Sequence, residues 1–198
     1  MQTPSSDSAL EKRRQILDAS EHVFAENGFH TSTMDQVADA AGVAKGTIYL
    51  YFASKKELLS ELVEDRIAKL TGLTESAISG VQDVPGKLRA IVGAHFQFYA
   101  QQREFMGLLT GQLGLVSPEV GTLVMKATAS LTAMIQSVIS EGIDSGAIHS
   151  MFNPTRLTFA LQGLSHATAY EWMASDSHVP PEEVADEAYQ VFIRGVRA

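Results

Sequence analysis

Apolar residues recur at helical spacing along most of this chain. Ile16, Ala19, Val23 and Phe24 form one stripe, Leu58, Leu59, Leu62, Val63 and Ile67 a second, and Leu88, Ile91, Val92, Phe96 and Tyr99 a third. Sustained two-residue alternation is missing and β-branched runs are short, so no strand is predicted. Residues 1–7 read as a disordered tail. Ser8-x-x-Glu11 then opens a first helix that runs to Asn27-Gly28. The capping box Thr33-x-x-Gln36 opens a second helix, and Gly42 stops it. A third helix starts two residues later. Ser54-x-x-Glu57 is another capping box, opening a fourth helix from Lys55 to about Leu70. Gly72, Ser79-Gly80 and Asp83-Val84-Pro85 mark a looser stretch. A fifth helix begins near Pro85, and a short sixth covers 103–113. Ser117-Pro118-Glu119 opens a long seventh that ends near Ser145-Gly146. Asn153-Pro154 caps an eighth through about Ala174, and Pro180-Pro181-Glu182 opens a ninth. The pattern predicts an all-α protein of about nine helices. A three-helix head over 1–56 is joined through the fourth helix to a helical body over 57–198.

Residues 33–57 hold the strongest local signal. A helix, a turn of about four residues containing glycine and a second helix form the helix-turn-helix layout, whose second helix lies in the major groove of DNA. Charge agrees. The chain carries a net charge of −8, which argues against indiscriminate coating of nucleic acid. Residues 42–56 nevertheless contain Lys45, Lys55 and Lys56 and no acid. A basic face on an acidic body suits a selective DNA binder.

Phosphate contacts set position and base-edge contacts set sequence preference. Thr33, at a helix N-terminus, is a candidate phosphate donor. Lys45 can reach a phosphate or a guanine edge. Gly46 lets backbone approach closely. Thr47 suits base edges, while Tyr49 and Tyr51 offer phenol donors, Tyr51 with packing as its alternative. Lys55 is a candidate phosphate contact. Ile48 and Phe52 read as core.

The stretch also resembles the TetR family of one-component transcriptional regulators. Thr33, Val37, Ala38, Ala41, Gly42, Val43, Gly46, Tyr49, Phe52, Lys55, Leu58 and Leu59 carry the resemblance over roughly the first 60 residues. It implies DNA contacts at the positions above. Ala44 stands where the family often has a hydroxyl residue, so one phosphate donor would be missing. The resemblance further implies a homodimer that binds an inverted-repeat operator in double-stranded DNA, and a body that binds a small effector.

Two features of the body bear on those implications. The eighth helix mixes Leu157, Leu161 and Leu164 with small residues such as Ala167, and the ninth carries Val184, Ala188, Val191 and Phe192. Together they are candidates for the dimer interface, or for packing on the seventh helix. Phe96, Tyr99, Phe105, Met106, Met125, Met134, Phe159 and Tyr170, with His95 and His166 interleaved, form a bulky and adaptable set. They suit a site for an apolar or amphipathic effector, or an ordinary core.

Several classes are disfavoured. Without cysteine, disulfides and thiolate chemistry are unavailable, which fits a reducing cytoplasm. No apolar run approaches the ~20 residues of a membrane span. There is no metal-ligand spacing, phosphate loop or cofactor motif. Ser165 and His166 are adjacent on a helix and so diverge, which leaves an enzyme in the body as the weakest reading. Repression relieved by the effector leads. Activation or corepressor dependence is the alternative within the same fold.

Overall fold

The computed structural model describes residues 6–109, 118–175 and 178–198. The predicted tail up to residue 5, the end of the sixth helix and the Ser117 start lie outside them. Ten helices occur among the described residues: α1 (Ser6–Asn27), α2 (Met34–Ala40), α3 (Lys45–Tyr51), α4 (Lys55–Ile78), α5 (Val84–Gln101), α6 (Arg103–Gly107), α7 (Pro118–Ala127), α8 (Ala129–Asp144), α9 (Pro154–Ala174) and α10 (Pro181–Val196). The fold is all-α, as the periodicity requires. Three boundaries differ from expectation. Ser8 lies inside α1, which already begins at Ser6. Gly72 is carried within α4, and the chain breaks instead at Gly80, whose φ of +79° suits glycine. The long seventh helix is two, broken at Thr128; no glycine or proline marks that point.

The chain divides into two compact units. The first comprises Met1–Arg66 with Glu104–Ala127, the second Ile67–Arg103 with Thr128–Ala198. The division falls inside α4, ten residues beyond the sequence-based boundary at 56, because Leu58, Leu59 and Leu62 are core residues of the first unit.

In the first unit, Ile16, Leu17, Phe24, Val37, Ile48, Phe52, Leu58 and Leu62 are buried together. Side-chain hydrogen bonds fix the loops between their helices. Gln15 donates to the Ala41 carbonyl at 2.7 Å, satisfying the end of α2. The Ser32 hydroxyl donates to the Gly28 carbonyl at 2.6 Å. Arg66, almost fully buried, contacts Asp18, Glu21 and Asp65, each at 2.6 Å, and so ties α4 to α1. Such a buried cation needs its partners: removing one leaves an uncompensated charge.

In the second unit α5 is the central helix and packs against α8, α9 and α10. The Asp83 carboxylate caps it by accepting from the Gly86 N–H at 2.8 Å. Asn153 does the same for α9, accepting from the Arg156 N–H at 3.1 Å. Gly142 permits close approach: a Cβ there would meet Ile148 Cδ1 at 2.7 Å and Val84 Cγ1 at 2.9 Å. The chain end is pinned by the His149 N–H, which donates to the Val196 carbonyl at 3.0 Å.

Candidate nucleic-acid interface and effector region

The helix-turn-helix is built by local chemistry. Both arms of the α2 capping box form. The Gln36 N–H donates to the Thr33 hydroxyl at 3.2 Å, and the Thr33 N–H to the Gln36 side-chain oxygen at 2.8 Å. At the other end Gly42 takes φ +60°. The Val43 N–H then reaches the Ala38 carbonyl at 3.0 Å and the Gly42 N–H the Asp39 carbonyl at 3.1 Å. This is the Schellman pairing, and it aims the chain into α3. The α3 N-cap is Ala44, which has no side chain to cap with.

α3 buries Ile48 and turns the opposite side outward. Ala44, Lys45, Gly46 and Tyr49 are exposed, Thr47 and Tyr51 half-buried. Leu50 is 84% exposed; the sequence reading did not single it out, although a leucine beside Tyr49 on a helix whose core position is Ile48 must face outward. A Cβ at Gly46 would have no neighbour within 4 Å, so packing does not demand the glycine. Lys45 Nζ pairs with the Asp35 carboxylate at 2.6 Å. That hydrogen bond and charge raise the lysine's pKa. The Tyr51 ring lies 6.5 Å from that of Phe52.

Lys55 is placed differently from expectation. Its ammonium donates to the carbonyls of Phe29 at 2.6 Å, His30 at 3.0 Å and Ser32 at 2.7 Å. It also lies 4.8 Å from the centre of the Phe29 ring. All three N–H donors are thus used on the loop that leads into α2. The sequence could not show this, because the carbonyls lie 23 to 26 positions away.

The predicted effector residues separate. Phe105, Met106 and Met125 belong to the first unit, where Phe105 and Met106 are buried and Met125 is 69% exposed. In the second unit His95, Phe96 and Tyr99 are buried on α5, His166 and Met134 are half-buried, and Phe159 and Tyr170 face outward on α9. Rings link the buried set. Tyr99 lies 6.1 Å from each of His95, Phe96 and His166, and Phe96 lies 6.5 Å from Trp172. Both ring nitrogens of His95 and the hydroxyl of Ser165, each fully enclosed, have no hydrogen-bond partner among the described residues. Burial, with the charge of nearby His166, pushes His95 down to about 4. Burial also lowers His166 and raises the Tyr99 phenol. A cleft of about 630 Å³ lies elsewhere, between α5 and α10 beside the 2.8 Å Arg89–Asp186 ion pair.

The predicted interface residues also divide. Leu157, Leu161, Val184, Ala188 and Phe192 are buried within their own unit, Leu164 is half-buried, and Ala167 and Val191 are exposed. The outward side of α9 instead presents Phe159, Ala160, Gly163, Ala167 and Tyr170. Helical spacing identifies a stripe, but a helix with one apolar side inward and another outward carries two, and the pattern alone does not rank them. Among the described residues no group of three or more His, Asp or Glu could hold a metal ion, and no single helix is long and apolar enough to cross a membrane.

Comparison with known proteins agrees with this architecture. Residues 16–62 match the family described as bacterial regulatory proteins, tetR family, and residues 82–196 match the tetracyclin repressor-like C-terminal domain. The fatty acid metabolism regulator protein of Bacillus subtilis is 25% identical over 93% of this chain and 95% of its own. The transcriptional activator FasR of Mycolicibacterium smegmatis is 28% identical over 91% of this chain and 80% of its own. Among solved structures, the regulator FadR of Bacillus subtilis in complex with stearoyl-CoA superposes with a TM-score of 0.85 at 25% identity, covering 93% of this chain and 99% of that one.

Proposed function

The chain belongs to the TetR family of bacterial transcriptional regulators, and we propose that it binds an inverted-repeat operator as a homodimer and is released by a long-chain acyl thioester. The observation that carries the DNA reading is the outward side of α3, where Lys45, Gly46, Thr47 and Tyr49 stand over a buried Ile48. Lys45 and Tyr49 address backbone or base edges, Thr47 a base edge, and Gly46 leaves room for a phosphate or a thymine methyl. Thr33 stands at the N-terminus of α2, where a phosphate oxygen is favoured. Lys55 acts indirectly, by holding the loop that presents Thr33.

Symmetry motivates the dimer, since one small head has little surface and two half-sites suit a two-fold protein. The outward side of α9 supports it: Phe159 and Tyr170 flank small residues that let a second helix approach. The effector class rests on the Bacillus subtilis relative, whose structure holds stearoyl-CoA. The aromatic interior of the second unit is the place for it. Repression is the primary reading. Activation is the second, because the relative from Mycolicibacterium smegmatis is itself named an activator.

The experiment is selection of bound duplexes from a random pool, followed by nuclease footprinting with and without stearoyl-CoA. Inverted repeats should emerge, and the thioester should abolish protection. Selection without symmetry defeats the dimer reading, and protection indifferent to the thioester defeats the effector reading. The direction of a promoter–reporter response separates repression from activation.

A further inference from the structure

We propose that His95 and Ser165 form a polar anchor for an uncharged carbonyl, so that the effector is held by the C=O of its ester linkage and not by a carboxylate. The inference rests on the acyl-thioester reading above and adds the residues and the group they recognise. Three buried polar atoms carry it: Nδ1 and Nε2 of His95 and Oγ of Ser165. A buried polar atom without a partner costs stability, and folded proteins rarely keep one unless it serves a purpose. Here three occur on two helices that pack together, α5 and α9.

Their surroundings define what they can hold. His95 lies beside Tyr99, which faces His166, and Phe96 extends the same aromatic cluster to Trp172. At the far end the exposed Arg103 guanidinium sits 4.8 Å over the Trp172 ring. In an acyl-CoA a neutral thioester joins an anionic head, which must stay in water, to an apolar chain, so a polar pair bordered by aromatic side chains suits the carbonyl with the start of the chain beside it. A neutral imidazole and a hydroxyl each have a hydrogen to donate, and a carbonyl oxygen accepts two. A free carboxylate would be a buried anion with no cation among these residues, which is unfavourable. His95 stays uncharged at neutral pH, since burial opposes its protonation.

The test compares three probes on the full-length protein by calorimetry: hexadecanoyl-CoA, the thioether S-hexadecyl-CoA, which keeps head and chain but lacks the carbonyl, and hexadecanoate. Wild type should bind the thioester about tenfold more tightly than the thioether, the scale of one or two neutral hydrogen bonds. Hexadecanoate should bind more weakly still. Ser165→Ala should cut the thioester's advantage over the thioether to about threefold, because His95 keeps the other hydrogen bond. It should also raise the melting temperature of the ligand-free protein by a few degrees (on the order of 2–4 °C per kcal/mol), because it removes an orphaned hydroxyl. His95→Phe should act likewise through the other hydrogen bond, and only the Ser165→Ala/His95→Phe double variant should bind thioester and thioether equally. Equal, tight binding of thioester and thioether by wild type overturns the anchor and leaves the acyl-thioester effector standing. Tight binding of hexadecanoate alone assigns the site to a carboxylate and overturns both. Binding of none of the three removes the effector reading itself.

Discussion

Lys55→Ala separates two roles for one lysine. A phosphate contact and a loop tie predict different things. If Lys55 neutralised a DNA phosphate, its loss would lower the slope of log affinity against log salt by about one unit and leave the free protein's stability almost unchanged. The structure commits its three N–H donors to the Phe29, His30 and Ser32 carbonyls. Hydrogen bonds from a charged donor contribute about 1.5–3 kcal/mol each where water cannot replace them. Two of the three are only partly buried and one is exposed, so water recovers most of that on truncation. The Phe29 ring adds about 0.5–1 kcal/mol as a cation–π contact. The expected net loss is therefore about 2–3 kcal/mol. At roughly 2–4 °C per kcal/mol this lowers the melting temperature by about 4–12 °C. DNA affinity should fall as well, through a less ordered Thr33 loop, but with the salt slope kept. Thermal melts and operator titrations at four or more salt concentrations are sufficient. An unchanged melting temperature with a slope lowered by one would return Lys55 to the phosphate contacts and refute the argument.

Other expectations follow from single contacts. Asp35→Asn should strengthen DNA binding and steepen the salt slope, because Asp35 holds Lys45 at 2.6 Å on the same exposed surface. Identical binding curves for the two proteins would mean that Lys45 is not limited by its partner. His95 titrates near 4 in the folded chain and near 6.5 when unfolded. Between those values the unfolded state binds the extra proton, so stability falls as pH drops through 6.5 towards 4. The span contributes about 3 kcal/mol. His95→Phe should flatten that part of the stability–pH curve, and denaturant melts at pH 7 and pH 4.5 measure it. Ala167→Glu should give folded monomers by light scattering, since a charge on the outward side of α9 would be buried unpaired in a dimer; an intact dimer would move the interface elsewhere.

Legibility followed the range of the interaction. The Thr33 capping box, the Gly42 stop and the Asn153 cap act within three or four residues and stand where the sequence put them, whereas α1 begins at Ser6, ahead of the expected Ser8 start. The Ser54 box forms with one change: the Glu57 carboxylate accepts from the Ala53 N–H at 2.7 Å, one residue before Ser54. Contacts between distant segments were invisible. The Lys55 donors reach back more than 20 positions, and Arg66 reaches Asp18 and Glu21 across more than 40. A lysine in a basic stretch and an arginine among acids look alike whether they face solvent or close a fold.

The same distinction explains why the recognition helix was easier to orient than α9. α3 is seven residues long and buries one side chain, Ile48, so its outward side, Lys45, Gly46, Tyr49 and Leu50, follows by elimination. α9 has 21 residues and must serve two directions. Leu157, Leu161, Ala169 and Trp172 face its own unit, while Phe159, Gly163, Ala167 and Tyr170 face away. Both sets contain large and small apolar residues, so composition does not rank them. What separates them is burial in the isolated chain. Large side chains left half-exposed on a long helix have a cost that packing within the unit has not relieved. That residue of unburied apolar surface, and not the leucine stripe, is the physical reason to look for the second protomer on the Phe159–Tyr170 side.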